Sequence, residues 1–283
     1  MAIPYLSGFT VKPSAISVLG VVTFTDGTND ITPNQLQCEA YGYTYDQASG
    51  TCSTFRYNTN LNRSFDNINN SIQGSRNSTE TGTNNTLVMG ESNTVKGFSR
   101  NNIISGSGNE ISNGINDSKI SGKMGKVIRQ GEVVLGGGSY NIGAGYTQSS
   151  KIQLSTKTTD ATPTNLYVQD IVGEYITLQR NSILGYEIYI TKLETGGTSG
   201  NVGNFSYRVQ RGAVKCDNAG AITIITHSTK TIGKIGSNGT FSVIDSTVGS
   251  VPSVTVQVTG AADVNDLWSA TAYLHELATN IAF

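Results

Sequence analysis

Hydrophobic and polar positions change rhythm twice along the chain. Residues 15–25, AISVLGVVTFT, are apolar and β-branched, and the turn clusters DGTND and TPN follow. This pattern predicts short extended pieces, with no helix before about residue 60. From about residue 62 the apolar positions thin to single Ile and Val residues among Asn, Ser, Thr and Gly. Near residue 150 ordinary alternation returns, as in ILGYEIYITKLETGG and LWSATAYLHEL, and predicts half-buried strands.

The middle region is a repeat. Ile72-Gln73-Gly74, Val88-Met89-Gly90, Ile104-Ser105-Gly106 and Ile120-Ser121-Gly122 advance by sixteen residues each time. A second apolar position falls seven residues after each of the last three, at Val95, Ile111 and Val127, and Val134-Leu135-Gly136-Gly137 followed by Ile142 continues the theme. Each unit reads as two short strands separated by turns. It has too few apolar side chains to bury alone, so copies must stack as a β-solenoid with Ile72, Val88, Val95, Ile104, Ile111, Ile120 and Val127 as the shaft core. Asn, Ser and Thr then ladder at the strand spacing, while Gly and Asn take positive-φ corners. One apolar residue per strand is a thin core, which predicts a homotrimer sharing an axis.

Composition supports a turn-rich, all-β chain: 14% charged residues against about 25% in ordinary globular proteins, with 33 Gly among 283 residues. A net charge of −1 offers no general attraction to nucleic acid. No signal-like start or apolar run of membrane-spanning length is present, so no membrane insertion is expected. Cys38 and Cys52 bracket CEAYGYTYDQASGTC, which predicts a small hairpin with Tyr41, Tyr43 and Tyr45 on one face and a turn at Ala48-Ser49-Gly50. The two cysteines are either a disulfide or two buried thiols, depending on compartment.

Candidate chemistry is sparse. His275-Glu276 lacks the second His, four positions on, of a zinc-protease helix, since that position is Thr279. His227 lies in an alternating strand, Cys216 reads as a buried thiol, and Gly106-Ser107-Gly108 and Gly136-Gly137-Gly138 open no helix as a phosphate loop would. On a sixteen-residue coil Ser107, Lys126 and Val133 stack over Glu91, Glu110 and Asp117, so no carboxylate pair forms within one chain. Tyr175, Tyr186, Tyr189, Tyr207 and Trp268 have the flat apolar rings that stack on sugars, but in an alternating β-sandwich most such rings fill core or groove. No catalytic, cofactor-binding or metal-ligating residue is assigned.

The repeats NNTLVMGESNTV and SRNNIISGSGNEI resemble those of trimeric β-roll heads of bacterial adhesins and of bacteriophage fibre shafts. The segments TKTTDATPTNLYV, NFSYRVQRGAV and the final strand near Trp268 resemble the β-sandwich domain that ends many phage fibre proteins. The resemblance implies an N-terminal virion-attachment region (1–61), a solenoid shaft (62–149) and a jelly-roll-like β-sandwich tip (150–283). It implies a trimeric structural protein at the virion surface, made in the host cytoplasm and attached through its N-terminal region to a capsid or tail protein. Its tip would bind a host-surface glycan or protein. Binding without catalysis is the expectation; decoration of the particle and polysaccharide depolymerisation are the alternatives.

Overall fold

A computed structural model describes residues 11–47, 49–54, 69–140 and 143–283; Ala48 and Ile142 lie outside the described residues. The chain forms two compact units, Met1–Leu61 and Asn62–Phe283. In the first, β1 (Lys12–Ile16), β2 (Val22–Thr25) and β3 (Asp30–Ile31) make an antiparallel sheet. Helix α1 (Gln35–Ala40) follows, then a hairpin of β4 (Thr44–Asp46) and β5 (Thr51–Ser53).

The helix corrects the expectation that this region has none. Asn34 accepts the Gln37 backbone N–H through Oδ1 at 2.9 Å, and Gln37 Oε1 accepts the Asn34 N–H at 2.9 Å, closing a capping box. At six residues the helix is too short to show a period. Cys38 sits on its buried side and is joined to Cys52 of β5 by a disulfide, so the hairpin spans less than the cysteine interval. Val22, Phe24 and the two half-cystines form a small core against which Tyr41, Tyr43 and Tyr45 pack. Phe24 meets Tyr41 and Tyr43 edge-on, with centroids 5.7 and 6.2 Å away.

The second unit begins with the solenoid. Its coils carry β6 (Ser71–Ser75) and β7 (Ser78–Thr79), β8 (Leu87–Glu91) and β9 (Thr94–Val95), β10 (Ile103–Ser107) and β11 (Glu110–Ile111), and β12 (Lys119–Lys123) and β13 (Lys126–Val127). A fifth pass supplies β14 (Val133–Gly137). The strands form two parallel sheets, β6-β8-β10-β12-β14 and β7-β9-β11-β13, in which Val88, Ile104 and Ile120 lie in register. Parallel bridges linking Asn84, Arg100 and Asn116 add a third line of contact. The last step is shorter: Val134 pairs with Ile120, so Val133 lies beside Lys119 and not Asp117.

Polar side chains act as the ladder. Asn93 donates from Nδ2 to Asn77 Oδ1 at 3.0 Å and to Gly106 O at 2.9 Å, and Asn109 repeats both contacts one coil on, at 3.0 Å to Asn93 Oδ1 and 3.0 Å to Gly122 O. At the corner, Asn85, Asn101 and Asp117 take positive φ, which Asn and Asp tolerate better than most residues, and Asn101 donates to Asp117 at 2.9 Å. Val88, Val95, Ile104, Ile111, Ile120 and Val127 are all fully buried within a single chain, with Ile72 half-buried at the first coil. A thin core therefore does not by itself require a trimer: the stacked coils of one chain, closed by Asn and backbone, already bury these apolar side chains.

Strand β15 (Thr147–Thr158) turns back antiparallel onto β14, so the shaft sheet continues into the C-terminal region and the division expected at 149/150 falls inside a strand. The remaining elements are β16 (Thr164–Asn165), β17 (Tyr167–Val168), β18 (Ile176–Thr177), β19 (Ser182–Gly196), β20 (Phe205–Cys216), β21 (Ile222–Ile235), β22 (Thr240–Asp245), β23 (Ser253–Thr259) and β24 (Asn265–Ala278). The large sheet runs β21-β20-β19-β24-β15; in a smaller one β23 pairs with β22 and with β16 and β18. Residues of both sheets, from Ile152, Leu184, Ile188 and Trp268 to Leu166, Ile176, Val256 and Val258, share one hydrophobic core.

A buried ionic knot joins the last coil to these sheets. Arg129 reaches Glu132 at 2.6 Å, Glu276 of β24 at 3.1 Å and the Thr177 carbonyl at 2.6 Å, and the three charged side chains are essentially without solvent contact. Burial pulls the guanidinium pKa down, but the two carboxylates more than offset this and hold it above its ordinary value. Gln148 of β15 adds a 3.0 Å bond to Glu276 and exchanges hydrogen bonds with the Lys126 backbone.

Candidate functional site

Alternation in β19 sends Leu184, Tyr186, Ile188 and Ile190 into the core, which leaves Glu187 and Tyr189 on the outer face. The pairing register places Tyr273 beside Glu187, Thr271 beside Tyr189 and Tyr207 beside Thr191. With His275, these side chains line an open groove of about 530 Å³. Tyr189 and Tyr207 lie nearly parallel with centroids 5.9 Å apart, and Tyr273 stands edge-on to Tyr189 at 6.0 Å.

Glu187 is the polar centre. It accepts from Arg211 Nη2 at 2.9 Å and from the Tyr189 hydroxyl. Those two hydrogen bonds, Arg211 first, hold its carboxyl below the ordinary range. Tyr189 moves the other way, because losing its proton would break the bond to Glu187 and because it is partly desolvated. A second hollow of about 400 Å³ continues past Glu187, Arg211 and His275 to Ile225 and His227. Gly185 and Ala213 keep its floor low, and on the inward face Gly212 leaves room for Tyr186, whose hydroxyl a Cβ there would approach to 2.4 Å.

Flat rings beside an ionised carboxylate, a threonine hydroxyl and an imidazole suit a ligand with apolar ring faces and hydroxyl edges. Of the aromatics named from the sequence, Tyr189 and Tyr207 meet in the groove. Tyr186 is buried beneath it, its hydroxyl 3.1 Å from Thr226 Oγ1. Trp268 is core, donating to Thr158 Oγ1 at 3.0 Å, and Tyr175 lies elsewhere, tilted against Tyr167. Tyr273, Thr271, Glu187 and Arg211 were not singled out; the signal was the alternation TAYLH, which puts Thr271, Tyr273 and His275 on one face.

His275 and Glu276 point to opposite faces of β24, His275 outward and Glu276 into the ionic knot. His227 is exposed on β21. Cys216 is buried and free, its thiol pushed up chiefly by burial. The shaft carboxylates are engaged: Glu91 with Arg76 at 2.6 Å, Glu110 with Lys126 at 3.0 Å and Asp117 with Asn101.

No family model matches the chain, and no curated protein matches it. Solved structures similar to it include the tailspike protein of Acinetobacter baumannii phage AM24, with TM-score 0.28 and 8% identity over 75% of this chain and 50% of that one. The tailspike of Acinetobacter phage vB_ApiP_P1 has TM-score 0.21 and 11% identity over 74% and 47%. Tailspike protein gp49 of Acinetobacter baumannii bacteriophage Fri1, a capsular polysaccharide depolymerase, has TM-score 0.25 and 11% identity over 73% and 44%. The chain thus spans about half the length of these proteins. Because gp49 is an enzyme, the expectation that this chain is not one is corrected and no longer stands.

Proposed function

We propose that the chain is a bacteriophage virion fibre that carries a carbohydrate-binding tip on a solenoid stalk. The observation that supports this best is the groove of Tyr189, Tyr207 and Tyr273 around Glu187, on the outward face of a rigid sheet. Binding groups held on strands keep their geometry better than groups on loops. Residues 1–61 form a separate unit suited to anchoring on a capsid or tail protein. Three chains per fibre would present three grooves together, and linked sites convert weak contacts into avid attachment.

The test is adsorption of the purified protein to host cells and to their extracted envelope polysaccharide. Wild type binds both, and Tyr207→Ala with Tyr273→Ala binds neither while remaining folded by circular dichroism. Undiminished binding by that variant would remove the groove from the account. New reducing ends released from the same polysaccharide would show that binding is followed by cleavage.

A further inference from the structure

The five long strands of the tip sheet distribute charge unevenly. Directly paired residues share a sheet face, and the register puts Lys151, Lys157, Arg211, Lys215 and Lys230 on the face that carries Glu187. All five are exposed. Glu187 is the sole outward carboxylate of these strands, since Glu194, Asp266 and Glu276 turn inward and are buried. The whole chain carries −1, so this positive excess is local.

It also frames the groove. Lys151 of β15 holds its ammonium 5.9 Å from the centre of the Tyr273 ring on one side. Lys230 of β21 pairs with Val209, the neighbour of Tyr189, on the other. Four strand spacings separate β15 from β21, about 19 Å at about 4.8 Å each, which gives room for several sugar rings in a row across the strands.

Resting on the attachment reading above, we propose that the ligand of this face is an acidic polysaccharide. Its rings stack on the tyrosines, and its carboxylates meet Lys151, Arg211 and Lys230. Charge complementarity favours this occupant over a second copy of the chain, because two faces of the same sign repel. Glu187, set among the rings, opposes a nucleic-acid backbone with its closely spaced phosphates.

The experiment uses an array of bacterial surface polysaccharides, each spotted native and after carboxyl reduction, probed with the whole chain and with Lys151→Gln/Lys230→Gln. Retention on acidic members alone is expected, with loss on carboxyl reduction. Affinity should weaken strongly as ionic strength rises from about 0.01 M to about 1 M, over which the Debye length shrinks from about 30 Å to about 3 Å. The double variant should lose about threefold to tenfold in affinity for the acidic members. Equal binding to reduced and native forms overturns the acidic ligand and leaves the attachment reading intact, whereas binding to no polysaccharide overturns the attachment reading itself. Tighter binding to a single-stranded DNA oligonucleotide overturns the proposal in favour of nucleic acid. Protection of Lys151 and Lys230 from amine acylation in the free protein overturns it in favour of contact between copies.

Discussion

Replacing Arg129 with Ala removes the cation that, among the described residues, faces both Glu132 and Glu276 inside the junction of coil and sheet. Deleting one partner of a buried ion pair costs about 3–5 kcal/mol, because the remaining charge is left uncompensated. Here two carboxylates lose their partner, and the Thr177 carbonyl loses a donor at 2.6 Å. For a unit of this size about 1 kcal/mol corresponds to about 2–4 °C, so Tm should fall by about 6–20 °C. The single tryptophan, Trp268, is buried in the same unit, so its fluorescence in a denaturant series reports the loss without contribution from another indole. The companion variant Arg129→Met/Glu132→Gln/Glu276→Gln replaces all three charges with neutral groups and should cost under about 2 kcal/mol, since neutral replacement of a buried ion network is often tolerated. A loss below about 1 kcal/mol in Arg129→Ala, or an equal loss in the triple variant, would refute the view that uncompensated charge dominates.

Reduction of Cys38–Cys52, which closes a separation of 14 residues, should weaken the first unit by about 3 kcal/mol and expose residues 1–61 to protease while leaving Trp268 fluorescence unchanged. Gly106→Ala should destabilise the shaft by more than about 1–3 kcal/mol of backbone strain, because φ is +123° and the added Cβ would lie 1.9 Å from the Gly122 carbonyl oxygen; thermal circular dichroism reads it. Ile111→Ala, at a fully buried position, should cost about 2–5 kcal/mol by the same measurement. Glu187 is held ionised below the ordinary carboxylate value of 4.5 by Arg211 and then Tyr189, so its pair with Arg211 should persist at pH 4.5 and be lost only at lower pH, read from the carboxyl carbon shift of Glu187 in the unliganded protein. Loss centred above pH 4.5 would show that these two hydrogen bonds do not hold it.

The sixteen-residue shaft was readable from Ile104, Ile111 and Ile120 because a solenoid stacks each coil on the next, so identical contacts demand identical residues at a fixed interval. Alternation in ILGYEIYI likewise marked which side chains of β19 face inward, since a strand has only two faces. Helix α1 left a local sign, Asn34 followed by Gln37, but spans too few residues for a period. Which strands lie side by side was decided only in three dimensions. Tyr273 reaches Glu187 because β24, last in sequence, inserts between β19 and β15; Arg129 and Glu276 meet across 147 residues. Repetition and alternation are properties of neighbours along the chain, whereas the groove and the ionic knot depend on strand order, which is selected by how the two sheets close their common core.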